Sequence, residues 1–132
     1  FADEAVHMLD LALCLLGPLA PVGMVRGHAL GLAVDDHGVA LLSTGDGAPV
    51  TVAGGWTDAA MRLEIDIVGT EGHAALDRGG LTLRTSDGAA ERYAADPLDS
   101  GDGVEAFLDG ADLAPPRAAA AVNGLLDALA GR

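Results

Sequence analysis

Lysine is absent from this 132-residue chain, and all seven of its basic residues are arginines. Against 20 acidic residues they leave a formal net charge of −13. A field of that sign repels phosphate backbones and anionic lipid, so neither nucleic acid nor a membrane surface is expected as a partner. Chemistry that needs a lysine amine would have to obtain it from elsewhere. Cysteine is nearly absent as well: Cys14 stands alone, which excludes an intrachain disulfide and a cysteine-based zinc cluster. A reducing, cytoplasmic setting is the corresponding expectation. Aromatic residues make up only 3% of the chain, so a core must be built from Val, Leu, Ile and Ala. Long apolar runs are also missing. The stretch from Leu11 to Val25 falls short of the roughly 20 residues that a bilayer span needs, and Pro18 and Pro21 interrupt it. It does not fit a signal peptide either, because Asp3, Glu4 and Asp10 stand where a basic leader would be. The sequence starts at Phe1 rather than Met, and we expect that processing or truncation has removed something upstream.

What is present is half hydrophobic, and its length suits a single domain over residues 1–132. The opening segment predicts a helix from about Asp3 to Leu16. Val6, Leu9, Leu13 and Leu16 fall on one side, acidic residues sit at the positive end of the helix dipole, and Gly17-Pro18 stops it. From Val22 to about Tyr93 the period changes to two. Met61, Leu63, Ile65 and Ile67 alternate with Arg62, Glu64 and Asp66. Tight connections are expected at 35–38, 45–48, 69–72, 77–80 and 86–88, and links so short imply antiparallel neighbours. The reading is a meander of six or seven strands. The tail returns to helix, with a short one over Val104 to Leu108 and a longer one over Arg117 to Ala130 after Pro115-Pro116. Helix, sheet and helices together predict an α+β domain: an open, mainly antiparallel sheet with helices packed on one face.

Asp3 and His7 lie four residues apart, which stacks them on one helix face, and Asp10 and Cys14 continue the stripe. A carboxylate beside an imidazole can be a general acid–base pair or a plain ion pair on a helix surface, and spacing alone leaves both open. A metal site along this stripe is not expected, because four ligands spread over about 16 Å of one helix cannot wrap one ion. His28, His37 and His73 show no ligand spacing and are read as satisfied or exposed. Cys14 is read as a small apolar filler and Trp56 as an anchor on a sheet face or interface. Gly101 to Ala106 matches the letters of a dinucleotide-binding turn, but no hydrophobic strand precedes it, and Asp102 and Glu105 would repel a pyrophosphate.

The segment Asp3-Glu4-Ala5-Val6-His7-Met8-Leu9-Asp10 resembles the D-x-G-x-H-x-x-D stretch of the glucose-fructose oxidoreductase, inositol dehydrogenase and MocA family. Leu15-Leu16-Gly17 resembles the end of that family's helix, and Arg62 through Gly72 its strand-turn signature with a G-T-E-G corner. Phe107 through Leu126 resembles its closing segment and final helix. The resemblance implies a substrate-binding and dimerisation domain of an NAD(P)-dependent oxidoreductase acting on a sugar, polyol or related secondary alcohol. It implies Asp3 and His7 as catalytic residues, and Asp10 as a substrate-binding or supporting one. Ala5 stands where the family usually has Gly. NAD or NADP would be bound by a Rossmann domain that this chain lacks, as would the family's lysine; no metal is implied. Expected partners are a small-molecule substrate, the missing Rossmann domain and a second copy pairing through the open sheet face. A stand-alone, non-catalytic binding or interaction module derived from the family is the alternative.

Overall fold

The structure is a computed structural model and describes residues 2–60, 62–95, 108–109 and 116–131. The chain divides into two compact units, Phe1–Thr57 with Gly110–Arg132, and Asp58–Asp109.

The first unit opens with α1 (Ala2–Leu16). Ala5 and Leu9 are fully buried and Val6, Met8 and Leu13 partly so, which is the helical spacing that the sequence predicts. Leu16 differs, lying exposed where the helix ends. The Gly17 N–H bonds back to the Leu13 carbonyl at 3.0 Å, and Pro18 cannot continue the ladder. Three antiparallel strands follow in chain order: β1 (Leu19–Gly27), β2 (His37–Thr44) and β3 (Pro49–Gly55). A bulge at Val22 shifts the β1–β2 register between Pro21 and Gly23. Along β2, Ala40 and Leu42 are buried while Val39 and Leu41 are exposed, so this sheet has one covered face. The cover is α1, which lies against β3, together with α2 (Pro116–Leu129), which lies against β1 and α1. Pro116 begins α2, where its missing N–H costs nothing. Val122 and Leu125 complete a core with Ala5, Leu9, Ala40, Leu42 and Val52.

The second unit is a four-stranded antiparallel sheet, β4 (Ile65–Gly69), β5 (Gly72–Asp77), β6 (Gly80–Thr85) and β7 (Ala90–Ala94), again in chain order. Its register places Ile65, Ile67, Ala74, Leu76, Leu81 and Leu83 on one face, with Asp66, His73, Thr82, Arg84 and Arg92 on the other. The apolar set is only partly buried.

The fold class is the predicted one, α+β with open antiparallel sheets, and the described residues form seven strands, but the meander is cut into two sheets. Arg62, Leu63 and Glu64 continue the alternation without joining a ladder, and β4 begins only at Ile65. Met61 lies outside the described residues, as do residues 104–107 of the expected short helix. The expected turn at 35–38 is also displaced. Residues 28–36 form the connection, and His37 and Gly38 already belong to β2.

One local design recurs in both units. Thr44 and Thr85 end their strands, and each is followed by Asp two residues on, then Gly and Ala. In each turn the Thr hydroxyl donates to the Asp carboxylate, Thr44 to Asp46 and Thr85 to Asp87. The Thr N–H bonds to the Ala carbonyl, Ala48 or Ala89, at 3.0 Å, and the Gly N–H returns to the Thr carbonyl at 3.0 Å. Gly47 and Gly88 hold φ of 89° and 92°, which a side chain rarely adopts.

Candidate functional site

Burying Ala5 and Leu9 turns the rest of α1 outward. Asp3, Glu4, His7, Asp10 and Cys14 are all exposed, so the three predicted site residues do share an open helix surface. No hydrogen bond or ion pair among the described residues joins Asp3, His7 or Asp10. Exposed side chains four residues apart gain little from pairing and stay solvated. Cys14 is exposed rather than a buried filler, because the apolar stripe runs through Leu9 and Leu13 instead.

The first turn of α1 rests directly on β3. A Cβ on Gly54 would come within 3.3 Å of the Glu4 Cβ, so the absent side chain is what lets the helix approach. This contact fixes the end of the helix that bears Asp3, and His7 one turn further, relative to the sheet.

The carboxylate–imidazole pairs that do form lie elsewhere. In the second unit His73 Nε2 is 2.8 Å from Asp66 Oδ1, across β4 and β5. In the first unit His37 Nδ1 is 2.6 Å from Asp36 Oδ1. Asp36 has no solvent-accessible surface, and its carboxylate also accepts the backbone N–H groups of Ala29, at 3.0 Å, and Leu30, at 2.5 Å. Burial by itself raises the Asp36 pKa, but the His37 ring and the Leu30 and Ala29 amides outweigh it. The carboxyl is therefore held below the ordinary Asp value. Its carbonyl accepts the Trp56 N–H at 2.8 Å and its N–H donates to the Gly27 carbonyl at 3.1 Å. Asp36 thus ties together the ends of all three strands of the first sheet. Sequence reasoning took this residue for part of a turn, and the only visible signal was an Asp next to a His. His28, the remaining histidine outside α1, meets the Val34 carbonyl at 3.1 Å.

Among the described residues no group of three or more His, Cys, Asp or Glu side chains is placed to hold a metal ion. Nor does any glycine-rich turn among them lead from a strand into a helix, the arrangement that cradles a dinucleotide. The letter match at 101–106 lies outside the described residues. No helix among them is long and apolar enough to cross a membrane. The face of the first sheet turned away from α1 and α2 is apolar and open. Val25 and Val39 pair across β1 and β2, and with Leu41 they are 76%, 45% and 42% exposed.

Comparison with known proteins places this geometry. A model of the GFO/IDH/MocA C-terminal domain matches residues 1–75. No curated protein matches the chain. Among solved structures, a variant of KijD10, a 3-ketoreductase from Actinomadura kijaniata in complex with TDP-benzene and NADP, superposes with a TM-score of 0.81 at 21% identity. That match covers 98% of this chain and 46% of the other. The UDP-N-acetylglucosamine 3-dehydrogenase GnnA from Acidithiobacillus ferrooxidans gives 0.74 at 21% identity, over 96% of this chain and 44% of its own. At these identities the likeness is one of fold, and the chain spans less than half the length of either relative.

Proposed function

Because the chain belongs to the GFO/IDH/MocA C-terminal domain family, we propose that it is the substrate-binding and dimerisation domain of an NAD(P)-dependent oxidoreductase acting on a sugar, polyol or related secondary alcohol. One observation carries the reading: Asp3 and His7 stand one turn apart on the exposed face of α1, inside the matched segment. The nicotinamide that supplies hydride chemistry belongs in this reading to another domain, since the described residues offer it no cradle.

What the chain contributes is the proton side of the reaction. His7 is free to accept a hydrogen bond from a substrate hydroxyl and to hold its proton as the carbon is oxidised. Asp3 is one turn away on the same face, and Asp10 lies further along it. An exposed Asp and His become an effective pair once substrate and a neighbouring domain exclude water from between them. The open face of Val25, Val39 and Leu41 supports the second half of the proposal, since an apolar sheet face of this kind suits pairing with a second copy.

Replacing His7 by Ala in the complete oxidoreductase should lower kcat by about 10²–10⁴-fold. Asp3→Asn should lower kcat by a smaller factor. Turnover unchanged by His7→Ala would instead favour the non-catalytic binding module.

A further inference from the structure

We propose that residues 28–36 form a preshaped apolar loop on which the preceding domain docks, an inference that rests on reading the chain as the C-terminal domain of an oxidoreductase. The loop joins β1 to β2. Residues 28–34 are exposed throughout, and Leu30, Leu32 and Val34 are 54%, 44% and 56% exposed. No Asp, Glu or Arg stands among these residues, although 20% of the chain is charged. Large aliphatic side chains gathered on one uncharged loop make a surface suited to docking, which scattered ones do not.

The loop is held in shape by its own polar groups. The fully buried Asp36 carboxylate accepts the Ala29 and Leu30 N–H groups, and His28 Nδ1 meets the Val34 carbonyl. The Gly31 N–H returns to the His28 carbonyl at 3.4 Å, and Gly31 holds φ of 70°, where a side chain would be strained. Arg26 and Asp35 pair at the base at 3.7 Å. Burying a carboxylate costs free energy, and here it orders a loop rather than a core. A loop already ordered loses little conformational entropy when a partner covers it.

Topology selects the occupant. Glu4, in the first turn of α1, rests on Gly54, next to the Gly55–His37 pair at which the loop enters β2. The helix runs from there to Leu16, and β1 starts at Leu19 and returns to Gly27, where the loop begins. The start of α1 and the loop therefore share one end of the first sheet. A domain joined upstream of Ala2 is tethered at that end, at high effective concentration for the loop. The surface it presents must be apolar, because residues 28–34 give a charged partner nothing to pair with. A lipid surface fits poorly, since the acidic chain repels anionic headgroups.

The test uses the complete oxidoreductase. Hydroxyl-radical footprinting should find Leu30, Leu32 and Val34 shielded, although they stand open in this domain. Leu32→Asp should abolish the shielding of Leu30 and Val34, whereas Leu32→Ile should keep it. Leu32 lies outside the core, so neither change removes a core contact. A photo-crosslinking benzophenone side chain at position 32 should join the loop to residues upstream of Ala2 in the same chain, with a yield independent of protein concentration. Free labelling of the three side chains in the wild type overturns the proposal. So does a crosslink to a second copy whose yield rises with concentration. Turnover that depends on His7 with a freely labelled loop removes only the docking role. A shielded loop with turnover indifferent to His7 keeps the docking role and removes the catalytic reading.

Discussion

The two sheets share a strand order and even a turn, but they are stabilised differently. Every fully buried apolar side chain among the described residues lies in the first unit, where helices from the two ends of the chain close over β1, β2 and β3. The second unit has a cleaner amphipathic alternation, but its apolar face stops at partial burial, and Gly80 is its only buried residue among those described. Patterning decides which face of a sheet is apolar, whereas only a packed neighbour turns that face into a core. The second sheet therefore depends more on cross-strand pairs and turns. The candidate site stands on the better packed unit, the kind of scaffold that holds side chains in place.

The sharpest way to break this contrast is to delete equal volume from both sheets. Leu42→Ala removes a fully buried side chain and should cost about 2–5 kcal/mol. Leu76→Ala removes the same atoms from a partly buried position and should cost on the order of 1 kcal/mol. Denaturant unfolding of the two variants measures both, and equal losses would show that the second sheet has a core after all.

How much of this was legible in the sequence depends on the range of the interaction. The helical stripe of Val6, Leu9 and Leu13 and the alternation at Ile65 and Ile67 are local, and both gave the right element. That Asp3, His7 and Asp10 share one face of α1 also follows from spacing alone. Whether Asp3 would touch His7 did not follow, because side chains on an open helix face are solvated and no local rule holds them together. The break between β3 and β4 was hidden because Leu63 keeps the alternation going without a ladder partner. Asp36 was hidden for a different reason: its partners Ala29, Leu30 and Trp56 reach it only after three strands have assembled. The matching turns at Thr44 and Thr85 were visible as letters, but the hydroxyl-to-carboxylate bond that makes them alike is a property of the folded backbone.

Those turns provide a second and smaller test. Gly47 and Gly88 have nearly the same φ, and a Cβ at either would meet nothing within 4 Å. Substitution by Ala therefore carries a conformational cost without a clash, about 1–2 kcal/mol in each case. Hydrogen exchange at the Thr44 and Thr85 amides reads the two hairpins separately. In the second unit the loss should reach further along the strands, because fewer buried contacts hold them once the turn is weakened. Equal spreading in both would remove the contrast in how the sheets are stabilised.

The smallest expected effect is in acid, and it should fall unequally on the two units. The Thr44 hydroxyl bond is the main cause that lowers the Asp46 pKa, and the Thr85 hydroxyl does the same for Asp87. Asp36 is also held below the ordinary value, its partners outweighing its burial. A carboxyl whose folded pKa lies below its unfolded value stabilises the fold fully above the unfolded value, and that contribution is lost as pH falls through the folded one. The two turns therefore lose similar support at low pH, but only the first sheet also loses Asp36, whose protonation weakens its hold on His37, Ala29 and Leu30. On acidification below the ordinary Asp range, hydrogen-exchange protection at the Ala29 and Leu30 amides should drop. Asp36→Asn should make protection there low and nearly independent of pH, while Asp87→Asn should flatten the acid response of the β6–β7 turn alone. If Asp36→Asn left the acid response at Ala29 and Leu30 intact, its carboxylate would not be what holds the strand ends of the first sheet together.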